Sequence, residues 1–349
     1  MPISKLEKNI LQFTSKGIYC PEGDFFIDPW WPVDKAIITH AHSDHARRGM
    51  ASYISTPITA ALMRARISND IEVHALEYGE PISINGVRIS LHPAGHIPGS
   101  AQVRIEKNGF VSVVSGDYKV QADGISTPIE PVRCHEFVTE STFGLPSFRW
   151  AAQENVLQDI LKWWRTNAEV QKNSVLIAYA LGKAQRLIKP LSAHGRIIVH
   201  GAVYSMNHAL NEAGVQVPLG ERISEVSNKK DLKGVLVVAP PSAIGTPWLR
   251  RFQPFSIGIA SGWMAIRGIR RRRAADVGFV LSDHADWSGL LSTIRETGAH
   301  RIYVTHGYSD IFARFLCELG YDAHQVETRF TGEAEEIDLT VTQEDTQSD

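Results

Sequence analysis

Residues 40–45 read His-Ala-His-Ser-Asp-His and follow directly on an apolar segment, KAIITH at residues 35–40. Three imidazoles and a carboxylate within six residues are costly to bury unless a partner uses their lone pairs. Alternate residues of an extended segment point the same way, so His40 and His42 can bind one ion, while Asp44 and His45 can reach a second. The motif therefore predicts a fold in which this loop meets further ligands from distant segments.

Four other segments supply candidates for those ligands. His96 lies in the Gly- and Pro-containing loop PAGHIPGS, Asp117 follows an apolar strand in VVSGDYK, and His306 follows another in IYVTHG. Asp117 is well placed to bridge two ions, and Asp28, at the end of FFID, can orient a metal-binding histidine by accepting its second N–H. Acidic and histidine side chains that converge from several strand ends on one sheet edge indicate an active site.

The order of strand and helix patterns indicates one domain inserted into another. The first half is β-rich, with hairpins predicted at Asn85-Gly86 and Asn108-Gly109, because Asn-Gly favours type I′ turns. From about residue 174, apolar strands alternate with helical segments, as in a small α/β unit. After the arginine run at 270–273 the β-rich pattern returns.

Several motifs resemble those of a known superfamily. HAHSDH, GHIPGS, SGDYK and VTHG resemble, in the same order, the motifs of the metallo-β-lactamase superfamily. VTESTFG (138–144) and LSDHADW (281–287) resemble the acid and histidine motifs of its β-CASP nucleic-acid-processing branch. LIAYALGKAQRL (176–187) and SGWM (261–264) look like parts of the inserted cap of that branch. The resemblance spans about residues 20–310 and is closest to the bacterial ligase-associated DNA damage response exonucleases.

The resemblance implies an α/β fold: a metallo-β-lactamase αββα sandwich with an inserted α/β β-CASP cap domain. Residues 1–178 and 273–332 would form the two parts of the metallo-β-lactamase domain, and residues 179–272 the cap. Residues 333–349 contain seven acidic and no basic residues, and we expect a flexible, solvated tail there.

The resemblance also implies a role for each candidate residue. His40, His42 and His96 would hold one divalent ion, and Asp44, His45 and His306 a second. Asp117 would bridge them, and both Asp44 and Asp117 would count as catalytic. Zinc is the expected metal, with manganese as the alternative. His284 would protonate the leaving oxygen or donate a hydrogen bond to the scissile phosphate, and Glu140 would orient it.

The expected function is two-metal hydrolysis of phosphodiester bonds in nucleic acid, most simply by a DNA exonuclease that acts in repair with an ATP-dependent DNA ligase. An RNA-processing endo- or exonuclease of the mRNA 3′-end type stays open, because DNA-repair relatives in eukaryotes usually lack the last histidine, which is present here as His306. A silent nucleic-acid-binding scaffold and a small-molecule metallohydrolase are less favoured, and the latter would not need Glu140, His284 or the inserted unit.

The distribution of charged residues and cysteines bears on the expected partner and compartment of the protein. The net charge is −2, with 36 basic and 38 acidic residues; leaving out the seven acids of the tail gives 36 against 31, or +5. We expect a local basic cluster to contact nucleic-acid phosphates: Arg267, Arg270, Arg271, Arg272 and Arg273. Three dispersed cysteines, no signal-peptide pattern and no apolar run of about 20 residues indicate a cytoplasmic protein with no membrane association.

Overall fold

The computed structural model describes residues 9–226, 232–266 and 275–329. The predicted phosphate-contacting arginines, residues 267 and 270–273, and the acidic tail, residues 333–349, lie outside the described residues. The described chain is a mixed α/β structure with three β-sheets of six, seven and five strands. Within these ranges, no helix has both the length and the apolar character needed to cross a membrane.

The first sheet has its strands in sequence order. They are β1 (Gln12–Thr14), β2 (Gly17–Cys20), β3 (Phe25–Ile27), β4 (Lys35–Ile37), β5 (Ser52–Ser55) and β6 (Val73–Ala75). β1 to β3 are antiparallel, whereas β3 to β6 are parallel. β4 is shorter than the strand predicted at 35–40, because the backbone N–H of Thr39 donates to the Asp28 carboxylate. The chain thus leaves the sheet before the histidine-rich loop.

The second sheet has the order β18-β17-β11-β10-β9-β8-β7. These strands are β7 (Ile82–Ile84), β8 (Val87–Pro93), β9 (Ala101–Lys107), β10 (Phe110–Val114), β11 (Glu136–Glu140), β17 (Arg301–Thr305) and β18 (Asp322–Gln325). Both predicted hairpins are confirmed: Asn85 and Asn108 have φ of 50° and 52°, and the glycines after them 76° and 82°, as type I′ turns require. β10, β11, β17 and β18 are parallel, so their carboxyl ends share one edge.

Apolar packing joins the first two sheets. Phe25, Ile27 and Ile37 of the first sheet belong to one buried cluster with Leu91 and Val103 of the second. Helix α1 (Pro57–Arg66) packs on the outer face of the first sheet. Helices α6 (Trp287–Thr297) and α7 (Ser309–Glu318) pack on the outer face of the second.

The third sheet is parallel throughout and has the order β13-β14-β12-β15-β16. Its strands are β12 (Asn173–Ile177), β13 (Ile197–Val199), β14 (Leu236–Ala239), β15 (Phe255–Ala260) and β16 (Val277–Phe279). Helices α2 (Gln153–Glu169), α3 (Lys183–Leu191) and α4 (Gly201–Glu212) cover one face, and the short α5 (Pro247–Arg250) lies on the other. In sequence the whole sheet lies between β11 and β17 of the second sheet. β12 and β16 fall outside the range 179–272 and pair with strands of this sheet.

Candidate metal centre

The predicted ligands come together where strands of the first two sheets end. His40, His42 and His45 follow β4, and Asp117 and His306 follow β10 and β17. Strand β4 and strands β10 and β17 belong to different sheets, yet the loops after them meet. His306 has a positive φ of 57°, a conformation uncommon for a non-glycine residue that turns the chain sharply out of β17.

The first group consists of His40, His42, His96 and Asp117, whose ligand atoms all lie within 4.8 Å of one another. His42 Nδ1 is 3.2 Å from His40 Nε2 and 3.1 Å from His96 Nε2. Nitrogen ligands at about 2.0–2.1 Å from a tetrahedral ion are about 3.3–3.4 Å apart. The three imidazoles therefore have the spacing of ligands around one divalent ion.

The second group consists of His45, Asp117 and His306, again within 4.8 Å. Asp117 Oδ2 is 3.4 Å from His45 Nε2, and Asp117 Oδ1 is 3.9 Å from His306 Nε2. Asp44 adds a carboxylate beside this group, with Oδ2 3.8 Å from His45 Nε2. Asp117 Oδ1 is buried and has no hydrogen-bond partner among the described residues, which is costly unless an ion uses its lone pairs. This buried cluster fits divalent metal binding, with Asp117 common to both groups.

Protonation within the cluster follows from burial and from its carboxylates. Burial lowers the pKa of His40 and of His96 well below the usual range, so their ring nitrogens keep the lone pairs that a metal needs. Burial also acts to lower the pKa of His45, but nearby Asp117, Asp44 and Asp28 raise it well above the usual range. An excess of carboxylate charge thus surrounds His45, as suits a cation at this position.

The second ring nitrogen of each metal-facing histidine has a defined partner. Asp28 accepts from His45 Nδ1 at 2.7 Å, as expected from its place at a strand end, and is itself held by the Thr39 N–H and hydroxyl. His42 Nε2 is 3.1 Å from the carbonyl oxygen of Leu181, and His96 Nδ1 is 2.8 Å from that of Asp283. Such partners fix ring orientation and tautomer at metal sites. Sequence reasoning did not identify the last two, since backbone carbonyls carry no side-chain signal.

A buried ionic cluster holds Asp283 in place. Its carboxylate lies 3.1 Å from Arg186 and 3.6 Å from Lys183, both on α3. Arg186 also donates to the carbonyl oxygen of Ser282 at 2.5 Å. These side chains are at most 3% exposed. Helix α3 of the third sheet therefore supports the carbonyl that orients His96.

Glu140 and His284 form a buried pair next to the first ligand group. His284 Nδ1 is 2.8 Å from Glu140 Oε2, and Glu140 Oε1 accepts from the backbone N–H of Tyr118 at 2.8 Å. The His284 ring lies 4.6 Å from the His96 ring, centroid to centroid. With Nδ1 engaged by the carboxylate, proton transfer or donation to a substrate would use Nε2. The structure thus places a carboxylate-held imidazole beside the candidate ligand cluster.

In sequence, the chain is similar to proteins that act on DNA or RNA. No protein-family model matches it. It is 28% identical over 330 residues, 94% of the chain, to a probable DNA ligase of Opitutus terrae, of which it covers 32%. It is 25% identical to the DNA cross-link repair protein SNM1 of Arabidopsis thaliana, over 42% of this chain and 32% of that protein. It is 27% identical to the endoribonuclease YSH1 of Gibberella zeae, over 44% of this chain and 19% of that protein.

The chain thus spans about a third or less of the length of these three relatives. Among solved structures, a protein of unknown function from Enterococcus faecalis V583 shares the fold, with a TM-score of 0.58 at 11% identity, over 84% of this chain and 79% of that one. Of these relatives, the DNA-repair protein SNM1 and the endoribonuclease YSH1 are β-CASP nucleases of the metallo-β-lactamase superfamily. The chain is accordingly related by sequence to proteins of the β-CASP nuclease branch of the metallo-β-lactamase superfamily.

Proposed function

We propose that this protein is a two-metal phosphodiester hydrolase that acts as a DNA exonuclease in repair, in a pathway that includes an ATP-dependent DNA ligase. The observation that carries the nuclease proposal is the buried Glu140–His284 pair beside the Asp117-centred ligand groups. The link to a ligase rests on the match of 94% of the chain to a protein named as a probable DNA ligase.

The proposed metal ligands are those predicted from the sequence: His40, His42 and His96 for one ion, Asp44, His45 and His306 for the other, and Asp117 for both. Two divalent cations, zinc in this proposal, supply a nucleophile at neutral pH and neutralise charge on the phosphate when bound. Asp28 and the carbonyl oxygens of Leu181 and Asp283 orient the ligands.

The protein's own contribution to bond cleavage is proton transfer. When the leaving oxygen departs from phosphorus it gains negative charge, and His284 Nε2 donates a proton or a hydrogen bond to it. Glu140, which accepts from Nδ1, stabilises the cationic imidazole and keeps the ring aimed at the substrate.

We further propose that the first two sheets and their helices are the αββα metallo-β-lactamase domain and that the third sheet is the inserted β-CASP cap. The pairing of β12 and β16 with the third sheet favours cap boundaries somewhat outside 179–272. The three cysteines are free thiols, which fits a reducing compartment, the proposed cytoplasm.

An RNA-processing nuclease is the second candidate. Relatives named as an endoribonuclease YSH1 and as the ribonuclease TTHA0252 of Thermus thermophilus, which is 24% identical over 49% of this chain, favour it. The presence of His306 beside Asp117 also favours it, because the RNA-processing members keep this histidine.

Parallel digestion of end-labelled single- and double-stranded DNA and RNA, with zinc and with manganese, tests these proposals. A DNA exonuclease shortens DNA one nucleotide at a time from one end and leaves RNA intact. Internal cuts in RNA would establish the second candidate instead, and no cleavage of any polymer would refute both.

Asp117→Asn tests the site directly. We expect a folded protein with reduced metal content and activity at least roughly 100-fold lower, because the shared carboxylate is lost. The matched control is Asp159→Asn, at an exposed position on α2. Near-wild-type activity of a folded, metal-depleted Asp117→Asn protein would contradict two-metal hydrolysis.

A further inference from the structure

A cavity of 310 Å³ lies directly beside the metal centre. The loop that carries His42 and Ser43 forms one wall, and residues that follow β12 and β14, including Tyr179 and Pro240, form the other. Its volume is at the lower end of the range of small-molecule sites, about 300–1,000 Å³. It can therefore hold one ligand of the size of a nucleoside. His42 belongs both to this cavity and to the first ligand group.

The cavity lies at the carboxyl ends of β12 and β14 of the third sheet, two strands whose following helices pack on opposite faces of that sheet. Helix α3 follows β12 and packs with α2 and α4 on one face, through Leu187 and Ile188. Helix α5 follows β14 and packs on the opposite face, through Leu249. β12 and β14 are neighbours in the sheet. In open parallel sheets, divergent connections of this kind leave a crevice at the carboxyl ends of the strands, where ligands bind.

The walls are suited to a flat, uncharged or anionic group. Leu181, Met206 and Pro240 make a buried apolar floor, and Tyr179 contributes an aromatic ring. Ser205, at the rim, is exposed, so the cavity opens to solvent. Arg66 is the cation of the lining, and it is fixed through bonds to the carbonyl oxygens of residues 41 and 46. None of the described residues that line the cavity is acidic.

We propose that this cavity binds the base of the nucleotide next to the phosphodiester that is cleaved. This inference rests on the proposed nuclease function and adds to it a requirement for an unpaired nucleotide. A base can enter the cavity only after it leaves the helical stack, which is easiest in a single strand or at a frayed end. Aromatic and apolar walls favour base stacking of this kind, whichever sugar the strand carries.

Oligonucleotides with one abasic nucleotide test the proposal. Binding and cleavage by the whole protein are measured in parallel for an intact single strand and for strands in which each position in turn lacks its base. DNA and RNA series distinguish the two sources of the base. We expect the missing base to weaken binding about 10-fold at one position beside the cleaved bond, and much less elsewhere.

Binding and cleavage separate the two proposals. Position-specific loss of binding without any cleavage would support the base site and refute the nuclease. Cleavage without position-specific loss would support the nuclease and refute the base site. No position-specific loss of binding together with no cleavage would refute both proposals.

Two substitutions link the effect to this cavity. Met206→Trp fills the buried floor and should remove the difference between intact and abasic strands, whereas Met206→Leu should retain it. Ser205→Trp, at the exposed rim, makes the same test if the buried tryptophan prevents folding. Val170→Trp is the control, because Val170 is 70% exposed and does not line the cavity. Full retention of the abasic effect in both Met206→Trp and Ser205→Trp would overturn the assignment.

Discussion

At the scale of single residues, the contact between Glu140 and His284 has the clearest chemical consequence. Replacing Glu140 with Gln removes the charge that stabilises a protonated His284 while keeping the size of the side chain. We expect kcat to fall about 100-fold, with KM changed by less than about threefold, because proton transfer is affected and substrate binding is not. Steady-state kinetics on the cleaved polymer, together with metal analysis of the purified protein, make the measurement.

The metal analysis distinguishes a positioning role of Glu140 from a role as a metal ligand. Both are possible because the ligand atoms of Asp117, Glu140 and His284 also lie within 4.8 Å of one another. Unchanged metal content identifies Glu140 as a residue that positions His284, whereas loss of one ion per chain would make it a ligand. The control is Asp322→Asn on β18. Its carboxylate lies 2.8 Å from His324 Nε2 and accepts from Arg301 Nε at 2.9 Å, without contact to the ligand groups, and kcat should be unaffected.

Lys119 predicts a specific dependence of stability on pH. Its side chain is buried, and its amine has no hydrogen-bond partner among the described residues. Burial and the nearby charge of Arg186 lower the pKa of Lys119 to about 7. The unfolded chain, with the usual pKa of about 10.4, therefore binds more protons than the folded protein between these two values. Stability should rise with pH through this window.

Comparison with Lys119→Met isolates that contribution. Between pH 7 and pH 9 the wild type should gain about 2 kcal/mol of unfolding free energy relative to the variant. Below pH 7 the difference should stay constant, because the lysine is then protonated in both states. Denaturant unfolding at several pH values gives the difference directly. A constant difference from pH 6 to pH 9 would show that Lys119 is charged in the folded protein.

At the scale of secondary-structure elements, the residues at strand ends provided most of the sequence evidence for the candidate site. An acid or histidine after an apolar strand marked Asp28, Asp117 and His306, whereas Glu140 was found through the family resemblance. The structure brings all four to one region. The supporting contacts from α3 were not predictable in this way. Lys183 and Arg186 look like ordinary solvent-facing cations in sequence, and only the fold shows them buried around Asp283.

This support predicts that α3 influences metal affinity. Asp283→Asn keeps the backbone carbonyl that accepts from His96 but weakens the attachment of that segment to Lys183 and Arg186. We expect metal affinity to fall about 10-fold, as for other residues that orient metal ligands. Competition with a chromophoric chelator measures the affinity without any reference to activity.

The buried cations left by Asp283→Asn should also lower stability, so folding must be checked by circular dichroism at the temperature of the titration. The exposed ion pair of Arg222 and Glu225 offers a control, in which Glu225→Gln should leave metal affinity unchanged. Wild-type affinity in folded Asp283→Asn would show that α3 does not support the site.

At the scale of the whole molecule, the sequence indicated the succession of a β-rich part, an α/β part and a second β-rich part. The structure follows it, because the strands of the third sheet lie in sequence between β11 and β17 of the second sheet. The change of pattern at about residue 174 agrees with the start of β12, but the sequence did not indicate where the third sheet ends, since β16 lies after the arginine run. Buried strands such as β12 and β16 are apolar whichever sheet they join, and only pairing assigns them. The packing of the first sheet on the second is likewise a tertiary property that strand periodicity does not encode.

The position of the proposed ligands predicts that metal binding stabilises the entire structure. His40, His42 and His45 follow a strand of the first sheet, Asp117 and His306 follow strands of the second, and His42 also contacts Leu181 after β12 of the third. A bound ion thus connects segments of all three sheets, and a ligand present at 100 times its dissociation constant adds about 2.7 kcal/mol of stability. Removal with a chelator should lower Tm by roughly 5 °C, and zinc or manganese should restore it. In Asp117→Asn, calorimetry should show a Tm that responds much less to chelator or metal. An equal response in wild type and variant would place the stabilising ion elsewhere in the protein.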